Sequence, residues 1–354
     1  ANIMNELSAV GVMSGSSLDG LDICYCDYKY IESKWQFQNL KGETIPFPRD
    51  IYAHLLKARD LSGEELVKLD VRLGIWMGQM IRDFCQRHNY RPQIIGSHGH
   101  TVFHDPKQGY SIQIGSGQAI ASYAKIPTLN DFRSKDVLLG GAGAPLVPIG
   151  DKHLFSAYDV CINLGGIANL TINCEALPRA FDVAPCNQVL NKIANRMGMP
   201  FDQDGKMGRS GTFLKSWHAS LETPHFYQKK GPKSISNEWV EQEVLSKLPE
   251  REDPKDLAFT YCKFVGDRIA ESLLEVDFNT VLVTGGGTYN KALLEAIEGA
   301  LGVRVVVPKA EIINFKEALI FSFMAVLKLR KEVNVLKSVT GAFEDSSSGV
   351  YYSP

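Results

Sequence analysis

The chain opens with an apolar run at residues 7–13, breaks over the turn formers of 14–20, and turns apolar and aromatic again at 21–28. That order predicts two strands joined by a tight turn. Cys24 and Cys26 fall on one face of the second strand, because side chains alternate with period two. From residue 49 to about 89 the spacing is helical, with Ile51, Leu55, Leu66, Leu69, Leu73, Met77, Ile81 and Phe84 recurring on one face. Pro92 closes that stretch. Residues 94–96 then predict a short strand feeding a His-Gly-His turn, 110–114 a second strand and 118–125 a helix, with a Gly-rich loop over 127–148. The opening pattern recurs at 159–173 as strand, glycine turn and strand, an architectural likeness that speaks for a duplication. Beyond it lie helices at 188–197, 238–248, 254–275, 290–301 and 315–330, with strands at 280–284 and 303–307. This is an α/β pattern. The Ser/Gly-rich tail from Ser338 is expected to pack back on the first half.

Composition narrows the picture. With 44% hydrophobic and 22% charged residues, the 354-residue chain is that of a folded protein, long enough for two domains. The net charge of −2 argues against nucleic acid or an anionic membrane as partner. No apolar run approaches the roughly 20 residues of a spanning helix, so no membrane role is expected. The N-terminus has neither a basic nor an apolar leader region and does not read as a signal peptide. Seven scattered cysteines without a Cys-x-x-Cys predict reduced thiols and a cytoplasmic protein.

Three glycine-rich turns follow apolar strands, at 11–20, 164–169 and 285–290. Glycine lets backbone N–H groups approach a ligand closely, and such groups with nearby serines suit phosphate oxygens. Two such turns in equivalent hairpins point to a nucleotide held by both halves. Neither is a Walker A sequence. The third turn lacks the dinucleotide fingerprint, since position 290 is Asn, and suits an adenosine contact better.

These residues carry a family resemblance. GVMSGSSLDGLD at 11–22 resembles the signature G-x-M-S-G-T-S-x-D-G-x-D of the anhydro-N-acetylmuramic acid kinases. The likeness continues through IGSHGHTVFH (95–104), NDFRSKD (130–136), GGAGAPLVP (140–148), NLGGIANLT (163–171), Phe181-Asp182 with Pro185 and Asn187, and the 285–290 turn. The resemblance implies two RNase H-like domains of the actin/hexokinase type around a nucleotide and sugar cleft. It divides the chain into 1–128 plus 338–354, and 129–337. It implies an ATP-dependent kinase that opens 1,6-anhydro-N-acetylmuramic acid with water and phosphorylates O6, giving N-acetylmuramic acid 6-phosphate in cell-wall recycling. A homodimer is left open.

The residues it implicates can be weighed chemically. Gly15, Ser16, Ser17, Leu18, Asp19, Gly20, Leu21 and Asp22 would embrace the ATP phosphates. Asn163, Gly165, Gly166, Asn169, Gly285, Gly286, Gly287 and Asn290 would complete the nucleotide site. Asp19 would face the triphosphate through Mg²⁺ and its waters. Asp182 matches the family's motif aspartate and would take the proton of the attacking water; its bland alternative is a cap on the helix that follows. Arg133 suits the lactyl carboxylate through two parallel bonds. His98, His100, Thr101, Asp131, Gly143, Ala144, Pro145 and Asn187 would line the sugar site, and the spacing of the histidines rejects zinc. The helix faces around 69–84 and 313–329 read as core.

Departures from the family pattern include Val183 for Thr, Ala184 and Cys186 for small turn residues, His100 for Gln, and a 232–238 block without its arginine. They keep two alternatives open: a kinase for another anhydrosugar of the levoglucosan type, or a nucleotide- and sugar-binding protein with weakened catalysis.

Overall fold

The computed structural model describes residues 4–230 and 233–354; Pro232, the first residue of the 232–238 block, and the first three residues of the N-terminus lie outside them. In chain order the strands are β1 (Glu6–Ser14), β2 (Leu21–Ile31), β3 (Lys34–Ile45), β4 (Ile94–Asp105), β5 (Tyr110–Ile114), β6 (Thr128–Asn130), β7 (Val160–Leu164), β8 (Ile167–Ile172), β9 (Arg179–Pro185), β10 (Val281–Thr284) and β11 (Val350–Tyr352). The chain divides into two compact units, one running to Leu154 and resuming at Asn314–Pro354, the other Phe155–Ile313.

The first unit holds a seven-stranded sheet in the order β11-β6-β4-β1-β2-β3, with β5 paired to β4. β1, β2 and β3 form an antiparallel meander, and β4 returns parallel to β1. The second unit repeats that plan. β7, β8 and β9 run antiparallel, and β10 lies parallel to β7. The expected α/β class is therefore what the structure shows, and the two glycine hairpins are the equivalent β1–β2 and β7–β8 turns.

A row of small residues determines how the first unit is layered. Gly42 pairs with Cys24, Cys24 with Gly11, and Gly11 with Gly96, so four neighbouring strands carry almost no side chain along one line. The helix Ala310–Leu329 lies in that trough. A Cβ at Gly11 would stand 1.7 Å from the carbonyl oxygen of Ala318, and one at Gly96 would stand 2.1 Å from that of Phe321. The helix buries eleven residues, Leu319, Ile320, Phe323 and Met324 among them. Each large apolar side chain so buried contributes about 1.5–3 kcal/mol. On the other face, the helix Gly63–His88 begins at a Ser62/Glu65 capping box and packs Leu69, Leu73, Met77, Ile81 and Phe84 against Val10, Val12 and Ile95. The second unit has its own core, in which Val160, Ile162, Val281 and Val283 meet Tyr261, Phe264 and Val265 of the helix Pro254–Ser272.

Four local expectations are corrected. β3 went unread because Trp35 is its one buried side chain, so it carries no alternating signal; it forms by pairing with β2. β4 continues through 97–101 with an irregularity at Gly99 (φ 75°), so His98 and His100 stand on a strand and not in a turn. The 127–148 loop contains β6 and the helix Ser134–Leu138. At 303–307 only a single bridge forms, Val306 to Leu282. The tail does pack on the first unit, where β11 extends the sheet beside β6. No disulfide joins any of the seven cysteines. Among the described residues no helix is long and apolar enough to cross a membrane.

Candidate active site

The β1–β2 turn of the first unit offers an open loop on a fixed base. Leu18 sits at φ 54° with its side chain in the core, and Leu21 is fully buried, so both present only backbone to a ligand. Ser16, Ser17 and Asp19 are exposed. Asp22 lies opposite Thr44 in the sheet, and the Thr44 hydroxyl donates to its Oδ1 at 2.6 Å. Burial raises the Asp22 carboxyl, the Thr44 bond pulls it down, and the charge of Asp19 adds to the rise.

Beside this hairpin stand the β4 histidines. His100 Nδ1 is 3.0 Å from Ser14 Oγ, the last residue of β1, and burial lowers its pKa. His98 Nε2 accepts two bonds from Arg133, from Nε at 3.1 Å and Nη2 at 2.9 Å. Its Nδ1 therefore carries the proton and donates to the Gly99 carbonyl at 3.0 Å. His98 is neutral, held well below its ordinary pKa by burial and by the Arg133 charge. Arg133 Nη1 donates to the Gly143 carbonyl at 2.8 Å. Two of its five N–H groups remain without a partner among the described residues. Desolvation brings its pKa down to about 10, with Glu317 pulling the other way, so the guanidinium stays charged.

Asp131 takes φ 56° and its carboxylate accepts the Ser134 N–H at 3.1 Å, a turn-forming task. Thr101 is exposed and accepts from Gln113. The peptide between Ala144 and Pro145 is cis. Glu317, which sequence reasoning did not single out, lies on the same helix as the core positions of 313–329. Desolvation raises its carboxyl, the Arg133 charge lowers it and the Asp22 charge raises it further. The adjacent charges of Lys316 and Glu317 inside an apolar helix were the available signal. Lys316 itself is buried against Asp151 at 2.7 Å.

In the second unit, register assembles what the sequence scatters. Thr284 pairs with Asn163, Asn163 with Asn169, and Asn169 with Asp182, so one polar row crosses β10, β7, β8 and β9. The pairing shifts between Ala168 and Asn169, leaving Val183 as an extra residue in β9, a bulge of the kind that re-aims side chains. Val183 is buried in the core. Asp182 is half-buried; its Oδ2 accepts the Ile235 N–H at 2.7 Å and its own N–H donates to Lys233. It caps no helix. Its carboxyl is raised by burial, with the Ile235 bond opposing. The Thr284 hydroxyl, which sequence reasoning passed over, is buried without a hydrogen-bond partner among the described residues.

The third glycine turn packs on this hairpin. Gly285 adopts φ 90°, and a Cβ there would lie 2.6 Å from Asn163 Oδ1, so that approach requires glycine. Gly286 faces open space. Asn290 turns inward and its Oδ1 caps the helix Lys291–Leu301 through the Leu293 N–H at 3.0 Å. Asn187 buttresses the hairpin, its Nδ2 donating to the Leu164 carbonyl and its backbone N–H to Gly165. The structure thus brings the 163–169 hairpin, Asp182 and the 285–287 turn that follows β10 together at one end of the second unit's sheet, while Asn290 and Asn187 hold the frame.

The family model "Anhydro-N-acetylmuramic acid kinase" matches residues 7–354. The anhydro-N-acetylmuramic acid kinase of Actinobacillus pleuropneumoniae serotype 7 is 31% identical, over 97% of this chain and 98% of its own. That of Sulfurovum sp. is 32% identical, over 99% and 100%. Among solved structures, the (R)-2-hydroxyglutaryl-CoA dehydratase component A of Acidaminococcus fermentans aligns with a TM-score of 0.47 at 14% identity, covering 92% of this chain and 100% of its own.

Proposed function

The chain belongs to the anhydro-N-acetylmuramic acid kinase family, and from that premise we propose that it opens 1,6-anhydro-N-acetylmuramic acid with water while passing the γ-phosphoryl group of ATP to O6. Water oxygen bonds to the anomeric carbon as the carbon–O6 bond breaks. O6 takes the phosphoryl group as the bond to ADP breaks, and the proton of the water goes to Asp182. The products are N-acetylmuramic acid 6-phosphate and ADP.

Asp182 suits the base because its carboxylate is half-buried, raised in pKa and bonded through one oxygen only among the described residues. Arg133 suits the lactyl carboxylate, since His98 and Gly143 set its plane and N–H groups are left over for a bidentate pair. The exposed 15–19 loop and the 163–169 and 285–287 residues are assigned to the nucleotide, where transfer needs chiefly alignment and charge neutralisation. Asp19 and Asp22 are hard oxygen donors whose mutual repulsion is already felt in the Asp22 carboxyl, and they fit Mg²⁺ held through its waters. Such an ion would neutralise phosphate charge. A reaction that consumes ATP, in a chain with seven cysteines and no disulfide, is assigned to the cytoplasm.

The family match over almost the whole chain carries this reading. Its test is product analysis in ¹⁸O-water. Label at the anomeric oxygen, with phosphate on O6, is the expected result. ADP release without label in the sugar, or ATP binding without product, would sink it. Replacing Arg133 by Ala should raise KM about 10–100-fold for the lactyl-bearing sugar, through loss of a charge-assisted pair. An anhydrosugar without the carboxylate should bind almost unchanged, and equal losses on both would remove Arg133 from this role.

A further inference from the structure

Gly143 is gripped from both sides by one helical turn. Arg133 Nη1 donates to its carbonyl at 2.8 Å, and Asp136 Oδ2 accepts its N–H at 2.8 Å. The two residues stand three apart at the start of the helix Ser134–Leu138, the spacing that brings side chains together. Asp136 is fully buried. Its second oxygen accepts the Thr340 hydroxyl at 2.7 Å, and the Thr340 carbonyl accepts the Ala142 N–H at 2.9 Å. Gly141 makes room for this carboxylate, since a Cβ there would lie 2.2 Å from Asp136 Oδ2. The C-terminal tail is thereby tied through Thr340 and Asp136 to the loop that carries Gly143.

A carboxylate taken wholly out of water is costly unless its oxygens are bonded, and these are bonded to a loop amide and a tail hydroxyl. What the arrangement secures is one residue: Asp136 holds the N–H of Gly143, and Arg133 bonds to the carbonyl on the other side of its Cα. The Gly143 carbonyl and His98 Nε2 are the described groups that orient the Arg133 guanidinium. A bidentate pair is sensitive to the plane of the fork. An error of about 1 Å in a binding group can cost on the order of a hundredfold.

We infer that Asp136 is a positioning residue for the carboxylate end of the sugar: it anchors Gly143 by its N–H, and the Gly143 carbonyl fixes the Arg133 fork before substrate arrives. Thr340 is the outer anchor of the same chain of bonds. The inference rests on the reading of Arg133 as the ligand of the lactyl carboxylate.

The experiment compares full-length wild type with Asp136→Asn, Thr340→Val, Arg133→Ala and the Arg133→Ala/Asp136→Asn double variant. Affinities for 1,6-anhydro-N-acetylmuramic acid and for the same anhydro amino sugar lacking the lactyl group are measured by calorimetry, with KM for ATP alongside. Asp136→Asn should weaken the muramyl sugar about tenfold and Thr340→Val about threefold, with the carboxylate-free sugar and ATP held within about twofold. In the Arg133→Ala background, Asp136→Asn should add nothing, because the two act through one contact. Thr340→Val removes a single hydroxyl and carries the test should Asp136→Asn fail to fold. Equal weakening of both sugars would mean a structural role alone and overturns the inference. So does full selectivity in both variants while Arg133→Ala loses it. If Arg133→Ala itself keeps its selectivity, the reading of Arg133 falls and this inference with it.

Discussion

At residue 182 a carboxylate is held by one backbone amide and half removed from water. Burial raises its pKa, and the Ile235 N–H offsets part of the rise. A base must be ionised to act, so the rate should fall as pH falls through this raised value. The acid limb of kcat/KM then lies above the ordinary carboxylate range and reports the free enzyme. A limb at or below pH 4 would contradict the assignment. Asp182→Asn should keep ATP affinity and lose product formation by about 10²–10⁴-fold, the usual worth of a general base. Stability gives a second reading with a definite sign. The folded protein binds this proton more tightly than the unfolded chain, so the ionised group lowers stability once pH has risen through the folded pKa. The Asn variant should therefore melt no lower than wild type at neutral pH, checked by thermal unfolding. Asp182 and Arg133 could be singled out on the sequence because their motifs are local. Thr284 could not, because its placement depends on which strand faces it, and Glu317 left only the signal of two adjacent charges inside an apolar helix.

The helix Ala310–Leu329 and the strands beneath it set the next scale. Its apolar pattern was plain in the chain, as was the periodicity of Gly63–His88. The line of Gly42, Cys24, Gly11 and Gly96 was not. It exists only once β3, β2, β1 and β4 are placed in register, and register is a long-range property. The same reason hid the Thr284–Asn163–Asn169–Asp182 row. β3 escaped because a strand with one buried side chain has no alternation to read. The trough makes a sharp prediction. Gly96→Ala sets a methyl 2.1 Å from the Phe321 carbonyl oxygen, an atom of helix backbone that cannot rotate away. The helix must lift, and the loss should be about 3 kcal/mol, the upper part of the overpacking range. Gly299→Ala, where a Cβ would meet nothing within 4 Å, should instead be neutral or slightly stabilising. Urea denaturation of both variants checks the contrast, and equal midpoints would mean that the helix does not rest on the glycines.

At the scale of the whole chain, the second unit is an insertion in the first: the first stops at Leu154 and resumes at Asn314. The repeated hairpins announced two halves and the tail reads as belonging with the first, but nothing in hydropathy says that the closing helix does too; that follows from Ala318 on Gly11 and Phe321 on Gly96. The insertion's sheet β10-β7-β8-β9 lies within Phe155–Ile313, and so do the described residues of its core cluster. Buried Tyr261 donates to the Pro185 carbonyl at 2.6 Å, and Asp202 takes the Met207 and Gly208 amides, all inside the unit. A fragment of 155–313 should accordingly fold alone, in the size range where single domains are independent and two-state. Far-UV circular dichroism should show helix and one cooperative melt, and amide exchange should protect β7 and β10 as in the full chain. The first unit should not survive truncation at 313, because its trough would lose the helix that fills it. If the 155–313 fragment is molten while 1–313 melts cooperatively, the division into units is not the division into folding domains.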